Sequence, residues 1–135
     1  MIQGIIEILT EDTGVQAVVG QNKSANKYKV YPVRAPQKEE PPYIVVFKLP
    51  GVPTQDKHSV STLDECKFRA IGYVKNYIER DAMTEAIRGA LDGKESVTDA
   101  GINFSSIWYE TDSDGFDEPA QSYAAIVDFG CMVIR

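Results

Sequence analysis

The amino-acid sequence predicts an α+β fold, in which a mostly antiparallel sheet of about four to five strands is packed by two helices on one side. Apolar residues recur at helical spacing at the N-terminus and again from Asp81 to Asp92. They alternate with the period of a strand in Asp64 to Lys75 and in Tyr123 to Ile134. The order helix, strands, helix, strands favours helices on one face of an antiparallel sheet. A chain of 135 residues fits one domain, which we expect to span residues 1–135.

The first segment, Met1 to Val19, is predicted to be helical. Its apolar residues recur along one helical face: Ile2, Ile5, Ile6 and Leu9. Asp12-Thr13-Gly14 interrupts this pattern, and Thr13 is a candidate N-cap for a second short turn that Gly20 ends. The polar residues from Gln21 to Lys27 show no periodicity and predict a surface loop.

Two strands are predicted before the middle of the chain. The first is short, from Tyr28 to Tyr31, and stops at Pro32. The segment from Val33 to Pro42 contains three prolines and cannot form regular structure. Tyr43 to Leu49 is the clearest strand; it is apolar on both faces, so part of it should lie between layers. A second polar loop follows, from Pro50 to Ser61.

The second half of the chain contributes a helix and two further strands. Asp81 is the candidate N-cap of the helix, and Gly93 is a natural stop. The segment from Ile102 to Glu110 and the final segment from Tyr123 are predicted strands. Between them, Thr111 to Gln121 is acidic and rich in turn-forming residues, which predicts a loop.

Charge and composition argue against several classes of function. The formal net charge is -6, the isoelectric point is about 4.8, and the basic residues are scattered rather than gathered in a patch. Proteins that bind nucleic acid usually carry a basic surface, so we expect no direct nucleic-acid binding. We also expect no contact with a membrane, because no apolar run approaches the ~20 residues of a membrane span. No secretory signal is visible, so Cys66 and Cys131 are expected to be reduced, buried thiols in a cytosolic assembly.

Candidate catalytic and metal-binding residues are few. The only histidine, His58, lies in a polar loop, and spacing alone gives it no serine or cysteine partner. Cys66 is a conceivable nucleophile, but its place in an alternating strand favours a role in the core. The acidic run that starts at Glu110 resembles the opening of a calcium loop, yet Gln121 stands at the closing position that a glutamate should occupy. We therefore predict no enzyme, no cofactor and no metal site, with a solvated loop at the acidic run.

Six short segments occur in a particular order and spacing along nearly the whole chain. They are Val15-Gln16-Ala17-Val18-Val19-Gly20, Val30-Tyr31-Pro32, Pro41-Pro42-Tyr43-Ile44-Val45-Val46, Lys67-Phe68-Arg69-Ala70-Ile71-Gly72-Tyr73-Val74, Ile87-Arg88-Gly89-Ala90-Leu91-Asp92-Gly93 and Tyr123-Ala124-Ala125-Ile126-Val127-Asp128-Phe129. Each segment alone is unspecific. Together, in a chain of this length, they resemble the tail-completion proteins of long-tailed bacteriophages, also called tail terminators or tail-to-head joining proteins.

The resemblance implies a compact α+β subunit of the virion, in the tail or neck, that forms a ring of commonly six copies. Such a ring would stop polymerisation of the tail tube and join the tail to the head. The implied partners are other copies of the chain, the tail tube protein and the head connector protein, assembled in the bacterial cytoplasm. No catalytic residue and no cofactor is implied. Two alternatives remain open: another ring component of the neck, such as a head-closure protein, and an unrelated small α+β module that binds a ligand or a protein.

A ring subunit needs two different, mutually complementary surfaces. We predict that an edge of one of the two long strands pairs between subunits, because an exposed strand edge can extend a neighbour's sheet. The residues predicted for these edges are Phe68, Ala70, Val127, Phe129, Cys131 and Val133. Contacts with other proteins are predicted in the three polar loops, at Asn22, Lys23, Asp56, His58, Asp112, Asp114 and Asp117.

Overall fold

The computed structural model of the chain describes residues 2–19, 21–22, 27–35, 40–53, 63–94, 98–99, 102–104, 106–117 and 121–134. Its helices are α1 (Ile2–Glu11), α2 (Thr13–Val18) and α3 (Glu79–Leu91). Its strands are β1 (Gln21–Asn22), β2 (Lys27–Tyr28), β3 (Val30–Pro32), β4 (Tyr43–Pro53), β5 (Leu63–Val74), β6 (Thr98–Asp99), β7 (Ile102–Phe104), β8 (Trp108–Asp117) and β9 (Ser122–Ile134).

Most of the strands form one sheet with β5 and β9 at its centre. The order is β3-β4-β5-β9-β7-β6, and β8 pairs with β9 on the same side as β7. Only β3 and β4 run parallel, so the predicted α+β class with a mostly antiparallel sheet is confirmed. The described sheet has seven strands rather than four to five because three of them are only two or three residues long.

One face of the sheet packs against the helices and forms the core. Phe68 of β5 and Phe129 of β9 are paired across the strands and stack with their ring centroids 5.4 Å apart. Met83 and Ile87 of α3 lie over Gly72, where a Cβ atom would come within 2.2 Å of Met83 Cγ. The missing side chain at Gly72 therefore allows α3 to sit close to the sheet.

The starts of α2 and α3 differ from the prediction by one or two residues. The N-cap of α2 is Asp12 rather than Thr13, and its carboxylate accepts a hydrogen bond of 3.0 Å from the Val15 backbone N–H. In α3, Asp81 is not the N-cap, because the chain already has helical geometry at Ile78 and the helix begins at Glu79. Asp81 instead lies in the first turn, where its charge favours the positive end of the helix.

The predicted acidic loop is mostly a strand. Thr111 to Asp117 continue β8, and their backbone pairs with β9 from Asp128 back to Ser122. The connection to β9 begins only after Asp117. Alternate side chains of β8 consequently point to opposite faces of the sheet, which a loop would not impose.

The other two predicted loops are shorter than expected. Gln21 and Asn22 pair with Tyr28 and Lys27, so the predicted loop from Gln21 to Lys27 has paired ends. β4 continues to Pro53 across a bulge between Leu49 and Val52, so the second polar loop begins later than Pro50. The remainder of both loops lies outside the described residues.

The predicted inter-subunit strand edges are wrong. β5 lies between β4 and β9, and β9 lies between β5 on one side and β7 with β8 on the other. The backbones of both strands are therefore paired within the chain. Five of the six predicted edge residues also have buried side chains: Phe68, Ala70, Val127, Phe129 and Cys131. The sixth, Val133, pairs through its backbone with Asp64 and Phe104.

Candidate protein-interaction surfaces

The face of the sheet opposite the helices carries many apolar side chains, and we call it the open face. The strand registers place on this side the following residues: Tyr31, Tyr43, Val45, Phe47, Leu49, Ile71, Tyr73, Trp108, Ile126 and Met132. Apart from buried Val45, all of them are partly exposed. None belongs to the buried core cluster or to the side chains packed against it, within the part of the chain that the structure describes.

Tyrosines crowd one end of the open face. The Tyr43 and Tyr73 rings have centroids 4.9 Å apart, and Tyr31 lies 6.4 Å from Tyr43 on its other side. Partial burial, with a smaller contribution from the charge of Asp117, raises the pKa of Tyr73, so its hydroxyl stays protonated and neutral. Tyrosines supply a large apolar area and a hydrogen-bonding group, which is why they are enriched in protein interfaces.

Two ion pairs cross the open face between the apolar groups. Arg69 donates two hydrogen bonds to Asp128 on the neighbouring strand, of 2.7 Å and 3.0 Å. This contact raises the pKa of Arg69, so its guanidinium stays charged at every physiological pH. The amine of Lys67 lies 3.5 Å from a carboxylate oxygen of Glu110. The open face is thus apolar with internally neutralised charges, a composition suited to contact with another protein.

Trp108 covers part of the open face next to a glycine. A Cβ atom on Gly130 would lie 2.6 Å from the indole ring, so only glycine leaves room for the ring to lie on β9. The indole N–H of Trp108 donates to Glu110 at 3.2 Å. These two contacts hold the ring in place at the β8 side of the open face.

Strand β8 is exposed and forms the edge of the sheet beyond β9 over most of its length. Its helix-facing side chains contact residues of α3. Asp114 forms an ion pair with Arg80. Asp112 accepts a 2.6 Å hydrogen bond from the Tyr109 hydroxyl, which raises the pKa of that tyrosine. The guanidinium of Arg88 in turn lies 3.9 Å from the centroid of the Tyr109 ring. The acidic residues of β8 therefore stabilise its packing against α3, and they also give this edge of the sheet a negative charge.

Several large apolar side chains are exposed near the end of β8, and we call this group the aromatic corner. It contains Tyr77 (55% exposed) and Phe116 (48%), whose rings lie near Tyr123, and Ile78 (87%), which follows Tyr77 in the chain. The Tyr123 ring lies 5.0 Å from Phe116 and 5.6 Å from Tyr77. A cluster of large exposed apolar groups is a frequent feature of protein-binding surfaces.

The structure brings only part of the predicted contact residues together. Asp112, Asp114 and Asp117 lie on one strand, β8, rather than in a loop. Asn22 lies in β1 and pairs through its backbone with Lys27. The other three, Lys23, Asp56 and His58, lie outside the described residues.

The open face was not predicted, although signals for it exist in the sequence. Tyr43 to Leu49 is apolar at every position but Lys48, which indicates that both of its faces meet apolar surroundings. In β5 and β9, the positions that alternate with the core also carry apolar groups, such as Ile71 and Ile126. Alternation alone does not reveal which of two such faces the helices cover.

The two thiols form a buried cross-strand pair. Cys66 and Cys131 are direct partners in the β5–β9 register, and both are buried and unoxidised. Burial, together with the neighbouring Cys66, raises the pKa of Cys131 to about 12. The thiolate is the nucleophilic form, so Cys131 is unreactive at neutral pH.

Clusters of metal-binding side chains and helices able to span a membrane are both absent from the described residues. Groups of three or more histidine, cysteine or acidic side chains arranged to hold a metal ion do not occur among them. In the same residues, every helix is too short or too polar to cross a membrane.

Among the solved structures that share the fold, two match nearly the whole chain. One is a chain from the virion of a native gene transfer agent particle, which is 18% identical with a TM-score of 0.72; the match covers 97% of this chain and 92% of that one. The other is a solved protein that carries no functional name, 8% identical with a TM-score of 0.60, matched over 98% of this chain and 89% of its own. At these identities the likeness shows a common fold. No protein-family model and no curated protein matches the sequence.

Proposed function

We propose that this chain is a structural component of a phage-like virion, and that it forms a ring at the head-proximal end of the tail. The observation that carries the proposal is the shared fold with a chain of a gene transfer agent virion, which extends over 97% of this chain and 92% of the other. Near-complete coverage of both chains means that the whole domain, rather than one motif, has the virion component's architecture. The ordered sequence resemblance to tail-completion proteins narrows the role to the end of the tail.

In this proposal the ring terminates polymerisation of the tail tube and joins the tail to the head connector. Its partners are other copies of the chain, with six in the ring, together with the tail tube protein and the head connector protein. The chain acts by binding rather than by catalysis, and it joins the tail in the bacterial cytoplasm. The open face, the β8 edge and the aromatic corner support this role, because a ring subunit between two other rings needs several separate protein-binding surfaces.

The proposal is tested by deleting the gene in the phage or prophage that carries it and measuring tail lengths by negative-stain electron microscopy. Without a terminator the tube should continue to grow, so we expect overlong tails of variable length that lack heads. Wild-type protein supplied in trans should restore one tail length, and so should Gly89→Ala, an exposed helical position where an added Cβ meets nothing within 4 Å.

Two other results would overturn the assignment in different ways. Tails of normal length that fail to attach to heads would indicate a head-closure or other neck component instead. Complete, infectious particles in the deletion strain would exclude a structural role in this virion.

A small ligand- or protein-binding module is the candidate from another class. The observation that favours it is a pair of shallow depressions, one of about 400 Å³ beside α2 and the start of α3 and one of about 470 Å³ between α1 and β3. Their volumes are at the lower end of the range for small-molecule sites. A protein that is monomeric at all concentrations and is dispensable for tail assembly would support this alternative.

A further inference from the structure

The outer edge of β8 is open to another strand. β8 is ten residues long, and among the described residues it pairs only with β9. Proteins usually protect such an edge with charged side chains, proline or a bulge. β8 contains no proline, and its one irregularity, between Tyr109 and Thr111, leaves the following residues regular as far as Asp117. Its charged side chains are all acidic, so they disfavour partners of like charge but not a basic partner. This edge is therefore available for contact with another chain.

The charge of β8 determines which partner it can accept. Its ionisable side chains besides the tyrosine are all acidic: Glu110, Asp112, Asp114 and Asp117. Glu110 and Asp114 are each paired with a cation of the same chain, Lys67 and Arg80, so Asp112 and Asp117 contribute most of the negative charge of the edge. Two copies that met β8 to β8 across a twofold axis would bring these carboxylates close to one another, which is unfavourable. A symmetric pairing of this edge with itself is thus disfavoured, and a basic partner surface is favoured.

The opposite edge of the same sheet carries more basic than acidic side chains among the described residues. It is formed by β3 and by the part of β4 beyond it, because β3 covers only Ile44 to Val46. Lys29, Arg34 and Lys48 lie along this edge, and Arg34 and Lys48 are exposed. Among the described residues of this edge, Glu40 is acidic and exposed, and its carbonyl oxygen accepts a hydrogen bond from the amine of Lys29. The two ends of one sheet therefore carry opposite charge.

Each edge also presents an exposed apolar side chain. Val33 follows β3 and is 71% exposed, with a backbone φ of 63° that is unusual for a β-branched residue. Its N–H donates to the carbonyl of Val46, which holds it at the edge of the sheet. On the acidic edge, Phe116 is 48% exposed. An interface formed by the two edges would thus combine charge complementarity with apolar contact.

We infer that the acidic β8 edge of one copy docks on the basic β3–β4 edge of the next copy, head to tail. Contacts of this kind use two different surfaces of each subunit and close into a ring when the rotation per subunit allows it. The inference rests on the proposed function, since it names the interface that would build the proposed ring. It places the sheets of neighbouring subunits side by side around the ring.

Charge reversal with rescue is the first test. Asp112→Lys reverses the acidic edge, Lys48→Glu reverses the basic edge, and the double variant carries both changes. Glu11→Lys is the matched control, because it makes the same charge change at the exposed last residue of α1, which does not line the depression beside β3. Ring formation is followed by native mass spectrometry and light scattering at low salt, where surface charges are least screened.

We expect each single reversal to raise the concentration needed for ring formation by about tenfold or more, as close charge pairs in interfaces do. The double variant should recover much of the loss, and Glu11→Lys should behave as wild type. A ring that persists unchanged in both single variants would overturn the edge interface while leaving the ring itself in place. Failure of the tail-length experiment would instead overturn the proposed function, independently of these variants.

Disulfide trapping is the second test. It also detects a ring whose subunits dissociate in dilute solution. Ser113→Cys on β8 is combined with Arg34→Cys at the basic edge, and the protein is oxidised at high concentration. The native thiols are buried and do not compete. We expect a ladder of cross-linked oligomers from the double variant, none from Arg34→Cys alone, and none when Ser113→Cys is paired with Glu11→Cys. If the wild type is monomeric and no ladder forms, the edge interface is excluded.

Discussion

At the scale of single residues, two glycines set how closely other groups approach the sheet from its two sides. Gly72 lies under Met83 and Ile87 of α3, and Gly130 lies under the ring of Trp108 on the open face. A Cβ atom at either position would come closer than 3.0 Å to a neighbouring side chain. Each glycine is therefore required by a close approach rather than by backbone conformation.

Gly72→Ala should destabilise the fold. The new methyl group would overlap Met83 Cγ, so α3 would have to move away from the sheet; the expected loss is about 1–3 kcal/mol of unfolding free energy. Gly89→Ala is the control in the same helix, where the exposed methyl meets nothing within 4 Å and should stabilise by about 0.5–1 kcal/mol. Urea unfolding measures the free energy of unfolding of both variants. Equal stability of the Gly72→Ala protein and the wild type would show that the helix can adapt.

Residue-level prediction from the sequence was good for the core and poorer for the helix caps. The stripes containing Leu9 and Ile87 were assigned to the core correctly because helical spacing fixes which face is apolar. The caps depend on backbone geometry over one or two residues. Asp12 and Thr13 are both good capping residues, and only the fold shows that Asp12 occupies the capping position.

At the scale of elements, β8 shows how tertiary pairing overrides local preference. Aspartate, serine and glycine are depleted in strands, so residues 111–117 were predicted as loop. The long strand β9 nevertheless offers a full set of backbone partners, and Asp112 and Asp114 find donors at Tyr109 and Arg80. None of these partners can be inferred from the local sequence, because they come from other elements or from the strand geometry itself.

The link between β8 and α3 can be weakened selectively. Arg80 contacts both Asp114, on β8, and Asp81, its neighbour in the helix. Asp114→Asn should lower the unfolding free energy by about 1 kcal/mol, a value limited by the partial exposure of this pair, and should speed hydrogen exchange in β8. Asp81→Asn removes only a local contact, so β8 exchange should stay at the wild-type rate. Equal hydrogen-exchange rates of β8 in the Asp114→Asn and Asp81→Asn proteins would mean that the Arg80–Asp114 ion pair does not stabilise the strand.

At the scale of the whole molecule, the sheet has one face covered by helices and one that is free of them among the described residues. Neighbouring residues of β9 illustrate the difference. Val127 is fully buried on the helix side, whereas Ile126 lies partly exposed on the open face. Similar side chains one position apart therefore serve folding in one case and are available for binding in the other.

A pair of serine substitutions should separate folding from assembly. Val127→Ser removes buried methyl groups and introduces a hydroxyl into the core, so we expect a loss of about 2–4 kcal/mol of unfolding free energy. Ile126→Ser should cost about 1 kcal/mol or less, because its side chain is already partly in water. Urea unfolding compares the stabilities, and complementation of the deletion strain compares the assembly. Ile126→Ser should remain folded yet restore tail length poorly; full complementation would exclude the open face as an interface.

The class of the fold was predictable, but the order of its strands was not. Periods of 3.6 and 2 identified the helices and long strands, since these periods follow from local geometry. Strand order depends on contacts between distant segments, so β5 and β9 were predicted as edges although they lie at the centre. The final strand, despite its place at the end of the chain, is paired on both sides.

The position of Trp108 gives the molecule a built-in optical probe. It is the only tryptophan in the sequence, and its indole lies partly exposed on the open face between Gly130 and Glu110. The emission of an indole moves to shorter wavelength when water around it is replaced by protein. Any partner that covers this part of the open face therefore changes the intrinsic fluorescence of the chain, and its docking can be followed in solution without a dye, a tag or a substitution.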